Sequence, residues 1–337
     1  LGILAGDHLK SSSDLNVPLS AVGLLYRYGY FRQDISHNGW QEERYNDVFE
    51  SDLAVTPVLD EKGERIKVSV HIRGRVVHIQ AWRAKVGRIS LFLLDTNLAE
   101  NTEVDRYITG HLYGGDSETR IVQEMVLGIG GVRMLRKIGI APEVFHLNEG
   151  HAAFSTLELA REFIAEHPEA DFPAAVAAVR EQCVFTTHTP VAAGNDVFSP
   201  DLLMECFSEG YFTTMKATKA DFIALGRVDQ ANLDEPFGMT PFALRMCRTA
   251  NGVSEKHGEV SRELWRGMFP NAAEVPITHV TNGVHPPTWI ASSFQRLFDE
   301  KIGKNWPELI RDEKAWASAL ENISNEDIWS THNTLKN

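Results

Sequence analysis

Residues 145–151, F-H-L-N-E-G-H, mark the point where the chain changes character. Ahead of them Glu143, Val144 and Phe145 read as the end of a short strand. After them, residues 152–164 (A-A-F-S-T-L-E-L-A-R-E-F-I) carry apolar side chains at helical spacing. The motif therefore occupies a strand-to-helix turn, where an α/β sheet opens its ligand crevice. His146, Asn148, Glu149 and His151 give that turn a high density of polar groups. Two readings stay open for the motif alone: a helix cap followed by a solvated loop, or a ligand site. A metal is not expected, because histidines five positions apart do not share a helix face and no third ligand is close in sequence.

Working outward, the same strand-turn-helix arrangement recurs. A helix over 173–180 leads into a strand at 183–186 and the turn Thr187-His188-Thr189-Pro190. A helical region over 240–268, with an internal turn at Ala250-Asn251-Gly252, leads into a strand at 277–280 and the turn T-N-G-V-H-P. Strands alternating with helices in this way predict a mainly parallel sheet. A long helix is expected over 118–138, and its G-I-G-G run points to close packing rather than a dinucleotide loop, because no strand precedes it. Residues 53–95 are strongly β, with runs at 53–59, 66–72, 76–82 and 89–94, and read as an antiparallel subdomain. A further strand is expected over 21–26, a helix over 1–10 closed by a turn at 14–18, and an amphipathic helical tail over 293–337.

The bulk numbers narrow the function. A chain of 337 residues, 43% hydrophobic and 23% charged, has the composition of a globular protein with a large core. Its formal charge of −13 argues against nucleic acid, and requires local donors for any phosphate ligand. No apolar run reaches membrane-spanning length. The three cysteines are few, odd in number and set in apolar runs, which suits reduced core thiols in a cytoplasmic protein. There is no G-x-S-x-G, no recognisable Cys-His pair and no G-x-x-x-x-G-K loop.

Parallel strands deliver their C-terminal ends to one edge of a sheet. That places His146, Asn148, Glu149 and His151, then His188 and Thr189, then Asn282 and His285, around one crevice. Neutral donors and acceptors with a single carboxylate suit a polyhydroxylated ligand such as a sugar. Taken singly, each histidine can equally be a satisfied structural residue, and Thr281-Asn282-Gly283 a plain turn. The residues alone describe a sugar-binding α/β domain with incomplete catalytic equipment.

Six segments, in order along the chain, carry a resemblance. They are residues 1–14 (L-G-I-L-A-G-D-H-L-K-S-S-S-D), 23–33 (G-L-L-Y-R-Y-G-Y-F-R-Q), 39–41 (G-W-Q), 146–154, 185–196 (F-T-T-H-T-P-V-A-A-G-N-D) and 281–289 (T-N-G-V-H-P-P-T-W). Together they resemble the α-glucan (glycogen/starch) phosphorylases, particularly their bacterial and archaeal branch. The resemblance implies a Rossmann-like first domain of a two-domain GT-B glycosyltransferase, here carrying an antiparallel β subdomain (53–95), an α/β core (118–290) and a helical tail (293–337). It implies phosphorolysis of terminal α-1,4-linked glucose from a glucan or maltodextrin by inorganic phosphate, with retention, giving glucose 1-phosphate. By the same resemblance His188 contacts the glucosyl unit near the reacting carbon, with Thr189 beside it, and Asn282 bonds a sugar hydroxyl. Val253 lines the sugar pocket, and Glu149 and His151 line the channel beside the anomeric carbon. Asp116, in Gly114-Gly115-Asp116, belongs to a mobile gate loop, and Leu1-Gly2 ends a glycine loop that approaches the phosphates.

The family's pyridoxal 5'-phosphate is a Schiff base on a lysine of the second domain, which has no counterpart in this sequence; nor do the arginine and lysine that clamp the substrate phosphate. The expectation is a fragment clipped at both ends, inactive by itself and without covalent cofactor. Family members are often homodimers. The competing readings are a nucleotide-sugar-dependent glucan synthase of the same fold, and a stand-alone glucan-binding or regulatory module.

Overall fold

A computed structural model describes residues 2–46, 49–112 and 114–336. By contact the chain divides into two units, one of residues 19–282 and one of residues 1–18 with 283–337.

Among the described residues the larger unit holds two principal sheets, of four and five strands, and two two-stranded ones. Four short strands, Phe145–Asn148, Cys183–Thr186, Thr249–Gly252 and Ile277–His279, lie side by side in that order. All three pairings are parallel, with Asn148 opposite Thr186, Thr186 opposite Asn251, and Gly252 opposite His279. The expected parallel sheet is present, with one correction. Residues 249–252 are a strand in the middle of it and not a turn inside a helical region, so helices occur only on either side, at Met239–Met246 and Glu255–Leu264. The sequence T-A-N-G has no apolar run; its backbone is held because Val184–Thr186 and Ile277–His279 supply ladders on both sides.

The second sheet is mixed. Val55–Pro57, Lys67–Ile72 and Ile89–Asp95 all pair antiparallel with the long strand Arg75–Val86, as the β-rich reading of 53–95 requires. Ser20–Leu24 then adds to Ile89–Asp95 in parallel, so the sheet is not antiparallel throughout. A hairpin of Arg32–Ile35 with Gln41–Arg44, not expected from sequence, is almost wholly exposed.

The glycine run packs closely, as expected. The helix Ser117–Met125 passes through a π-helical turn, Val126–Gly130, into Gly131–Lys137. A Cβ on Gly128 would lie 2.5 Å from the Ser155 nitrogen, and one on Gly130 would lie 2.6 Å from Ile79 Cδ1. The missing side chains let this helix seat against the mixed sheet and against Ser155–Glu166 at once. Beside it Phe154, Phe222, Phe237 and Phe242, each fully buried, pack in tilted and edge-on pairs at ring distances of 4.8–6.4 Å. Burial of each such ring contributes about 1.5–3 kcal/mol. Cys183, Cys206 and Cys247 are free and buried.

In the smaller unit the helix Gly2–Asp14 receives the short helix Pro286–Trp289. Asp7 is buried there and accepts the His285 N–H (3.1 Å) and the Trp289 indole N–H (2.8 Å). These bonds, the tryptophan's first, hold its carboxyl below the usual range despite burial. The expected helical tail follows as Ser292–Lys301, Trp306–Leu309, Glu313–Leu320 and Asn325–Lys336. Among the described residues no helix is long and apolar enough to cross a membrane.

Candidate functional site

The C-terminal ends of the four parallel strands assemble the site. At the first, Glu149 takes φ 70° and ψ 172°, a conformation that costs a non-glycine residue about 1–3 kcal/mol. Hydrogen bonds hold it there. Its own N–H donates to the Thr186 carbonyl at 2.9 Å. Its carboxylate accepts the Gly150 N–H (3.1 Å), the His188 N–H (2.7 Å) and the Thr189 hydroxyl (3.0 Å). Glu149 is 6% exposed, so both oxygens are spent inside the protein, fixing the turn that carries His188 and Thr189. The position expected to line a channel is a buried anchor.

His188 is half-buried, and its Nε2 is buried with no partner. Burial holds its pKa below the ordinary histidine value, so the ring is neutral at neutral pH. Asn148 Oδ1 and Thr187 Oγ1, on either side in sequence and register, are also buried and unpartnered. A fourth such atom belongs to His257, which the sequence reading did not single out. Ser254 caps the helix Glu255–Leu264. One turn in, His257 Nδ1 accepts the Val253 N–H at 3.1 Å, which leaves the proton on Nε2, buried and without a partner. Val253 is thereby fixed on both sides, since its carbonyl accepts the Asn282 N–H at 3.0 Å. Asn282 itself is exposed.

Across the strand ends runs a polar row. His146 Nε2 bonds Thr186 Oγ1 (2.8 Å), whose hydroxyl donates to Asn251 Oδ1 (2.9 Å). His146 is thus engaged between strands. His285, expected beside Asn282, belongs to the other unit, where its ring bonds Asp14 (2.9 Å) and Thr288 (2.7 Å).

His151 sits where three segments meet. Its Nδ1 lies 3.0 Å from Asp196 Oδ2 and 3.5 Å from Glu124 Oε1. Arg120 places Nη2 2.7 Å from both Asp196 oxygens. Burial works against the His151 charge, but Asp196 and Glu124 outweigh it and raise its pKa to about 9. Burial pushes Glu124 up to about 8, while His151 and Arg120 overcome the burial of Asp196 and lower it. No third metal ligand adjoins His146 and His151 along the chain. In space Glu124 and Asp196 join His151, with one ligand atom of each within 4.8 Å of the others.

Asp116 caps the helix Ser117–Met125, accepting the Thr119 N–H (2.9 Å) and hydroxyl (3.0 Å), which hold its pKa low. Gly115 before it has φ 89°, open to glycine at little cost. Together with Arg120, Asn195 and Asp196 these residues border an open cleft of about 600 Å³. Gly2 begins the helix of the smaller unit; Leu1 lies outside the described residues.

A family model described as carbohydrate phosphorylase matches residues 140–332. The chain is 39% identical to the maltodextrin phosphorylase of Thermococcus litoralis, over 98% of this chain and 39% of that protein. It is 42% identical to the glycogen phosphorylase of Mycobacterium tuberculosis, over 100% of this chain and 40% of that one. With the glycogen phosphorylase of Aquifex aeolicus the identity is 38%, over 98% of this chain and 47% of its counterpart. The chain therefore spans less than half the length of these relatives.

Proposed function

The chain belongs to the carbohydrate phosphorylase family, and from that premise we propose that it forms the sugar-holding side of an α-glucan phosphorylase. The proposed reaction is phosphorolysis of a terminal α-1,4-glucosyl unit of glycogen or maltodextrin, with retention, to glucose 1-phosphate. One observation supports it above the rest: Asn148 Oδ1, Thr187 Oγ1, His188 Nε2 and His257 Nε2 are buried at or beside the strand ends with no protein partner. Buried polar atoms left unpaired cost about 1–3 kcal/mol each, a cost that a ligand's hydroxyls remove. Asn148 and Thr187 carry no charge and burial holds His188 neutral, which suits a sugar better than an ion.

In this reading neutral His188 bonds the glucosyl unit near the reacting carbon, and Glu149 acts beneath it by fixing its backbone. Thr189 is held by the same carboxylate, Val253 walls the pocket, Asn282 bonds a sugar hydroxyl, and His151 stands behind the turn. Asp116 with Gly114 and Gly115 forms the gate. The surrounding architecture is the first, Rossmann-like half of a GT-B enzyme, with its parts at 53–95, 118–290 and 293–337.

In such an enzyme pyridoxal phosphate would supply a phosphate group beside the substrate phosphate. The residues gathered here do not fit it, since none is a lysine able to form the Schiff base. That linkage is assigned to the length that the relatives have beyond this match. A cytoplasmic location and a homodimer complete the proposal.

The test is calorimetric titration of this chain with maltoheptaose and with cellohexaose, beside an assay for glucose 1-phosphate. Saturable binding of the α-linked glucan alone, without turnover, is expected. Equal binding of both glucans, or glucose 1-phosphate formed by this chain by itself, would overturn the reading.

A further inference from the structure

The geometry points to a divalent-cation site at Glu124, His151 and Asp196, taking Zn²⁺ or Mn²⁺ and independent of the glucan reading. One ligand atom from each lies within 4.8 Å of the others. The His151 Nδ1 distances, 3.0 Å to Asp196 and 3.5 Å to Glu124, match the edges of a coordination polyhedron with bonds of about 2.0–2.2 Å. A nitrogen and two carboxylate oxygens form a donor set of intermediate hardness, which suits those cations.

Glu124 distinguishes this cluster from an ordinary group of acidic side chains. It is 3% exposed, and neither of its oxygens has a hydrogen-bond partner. A buried carboxyl group with both oxygens free of hydrogen bonds, facing a second carboxylate and an imidazole nitrogen 3.5 Å away, leaves acceptor capacity that a cation would fill. Arg120 does not fill the role: it bonds the Asp196 oxygens, where it would stand as an outer partner orienting that ligand. The cluster borders the cleft that Asp196 and Arg120 line, which gives a cation a way in. Because the three ligands come from the helix Ser117–Met125, the turn Gly150–Ala152 and the loop at 196, the ion would tie together the segments around Glu149 and His188.

The probe is Mn²⁺ alone, added to the chelator-treated chain and followed by electron paramagnetic resonance. The expected result is uptake of one equivalent per chain with hyperfine coupling to one imidazole nitrogen, and displacement by Zn²⁺. Glu124→Gln keeps the shape and removes the charge, so it should weaken that uptake at least tenfold while leaving the thermal midpoint in chelator unchanged or higher. It also retains every surface histidine, so adventitious binding persists in it and can be subtracted. His151→Gln should abolish the nitrogen coupling. Uptake by the unaltered chain no greater than by Glu124→Gln, or bound Mn²⁺ without nitrogen coupling, would overturn the site. In that event the His151 proton alone neutralises the two carboxylates.

Discussion

Glu149→Gln isolates the bond set on which the turn at His188 depends. In the unaltered chain one carboxylate accepts three donors, at 2.7, 3.0 and 3.1 Å. An amide of the same shape can present its single oxygen either to His188 and Thr189 or to Gly150. The shorter pair is the stronger choice, which leaves the Gly150 N–H facing an NH₂ group and reduces the other two bonds from charge-assisted to neutral. A buried donor without a partner costs about 1–3 kcal/mol, and each of the two weakened bonds loses about 1 kcal/mol, so a total of roughly 3–5 kcal/mol is expected. For a unit of this size the thermal midpoint should fall by roughly 6–20 °C. Glu149→Gly and Glu149→Ala separate the bonds from the backbone, because both delete the carboxylate but only alanine retains the strain of φ 70° and ψ 172°. The glycine variant should therefore be the more stable of the two by about 1–2 kcal/mol in urea unfolding. A Glu149→Gln variant within 0.5 kcal/mol of the parent on that ~1 kcal/mol-per-bond scale, or an alanine variant as stable as glycine, would refute the reasoning.

The other predictions concern separate parts of the molecule. Glu158 is fully buried between Arg133, Arg161 and the Tyr211 hydroxyl, so Glu158→Ala should cost about 3–5 kcal/mol in urea unfolding at pH 7. Burial raises the Glu158 pKa but the two arginines lower it more, so the net shift is downward. The stability it contributes is therefore present above its unfolded pKa of about 4.3 and should be lost as pH falls through the lower folded value; an advantage over Glu158→Gln that survives into strong acid would contradict this. Gly128→Ala should destabilise by about 1–3 kcal/mol despite alanine's better helix propensity, because the new Cβ meets backbone at 2.5 Å; a higher melting temperature would show that the close packing is misplaced. His257→Phe removes the acceptor of the Val253 N–H and should weaken maltodextrin binding while lowering stability by about 1–2 kcal/mol; unchanged affinity would remove Val253 and His257 from the pocket.

Some of this was legible in the chain and some was not. The strand Cys183–Thr186 was readable at its observed bounds because C-V-F-T is a short apolar run between a helix and a polar turn. The strand Thr249–Gly252 was not, since its only local signal is Asn-Gly, which favours a turn unless ladders on both sides hold it extended. Strand ends predicted the convergence of Asn148, Glu149, His188 and Thr189, because a parallel sheet leaves them no other edge. They could not predict which atoms would face inward. That Glu149 turns into the protein depends on a backbone angle no sequence pattern specifies. The association of Glu124 and Asp196 with His151 depends on the packing of a helix and a loop distant in sequence. His257 gave a weak signal that went unused: a histidine one turn into a capped helix, beside a residue assigned to the pocket.

The most direct test of the sugar site is nitrogen NMR of the chain labelled at its histidine rings and titrated with maltotriose. Saturable movement of the His188 and His257 Nε2 resonances, with the His146 and His285 signals unmoved, is the predicted result. Resonances of His188 and His257 that stay in place at saturating maltotriose would contradict the claim that these buried atoms are kept for the glucan.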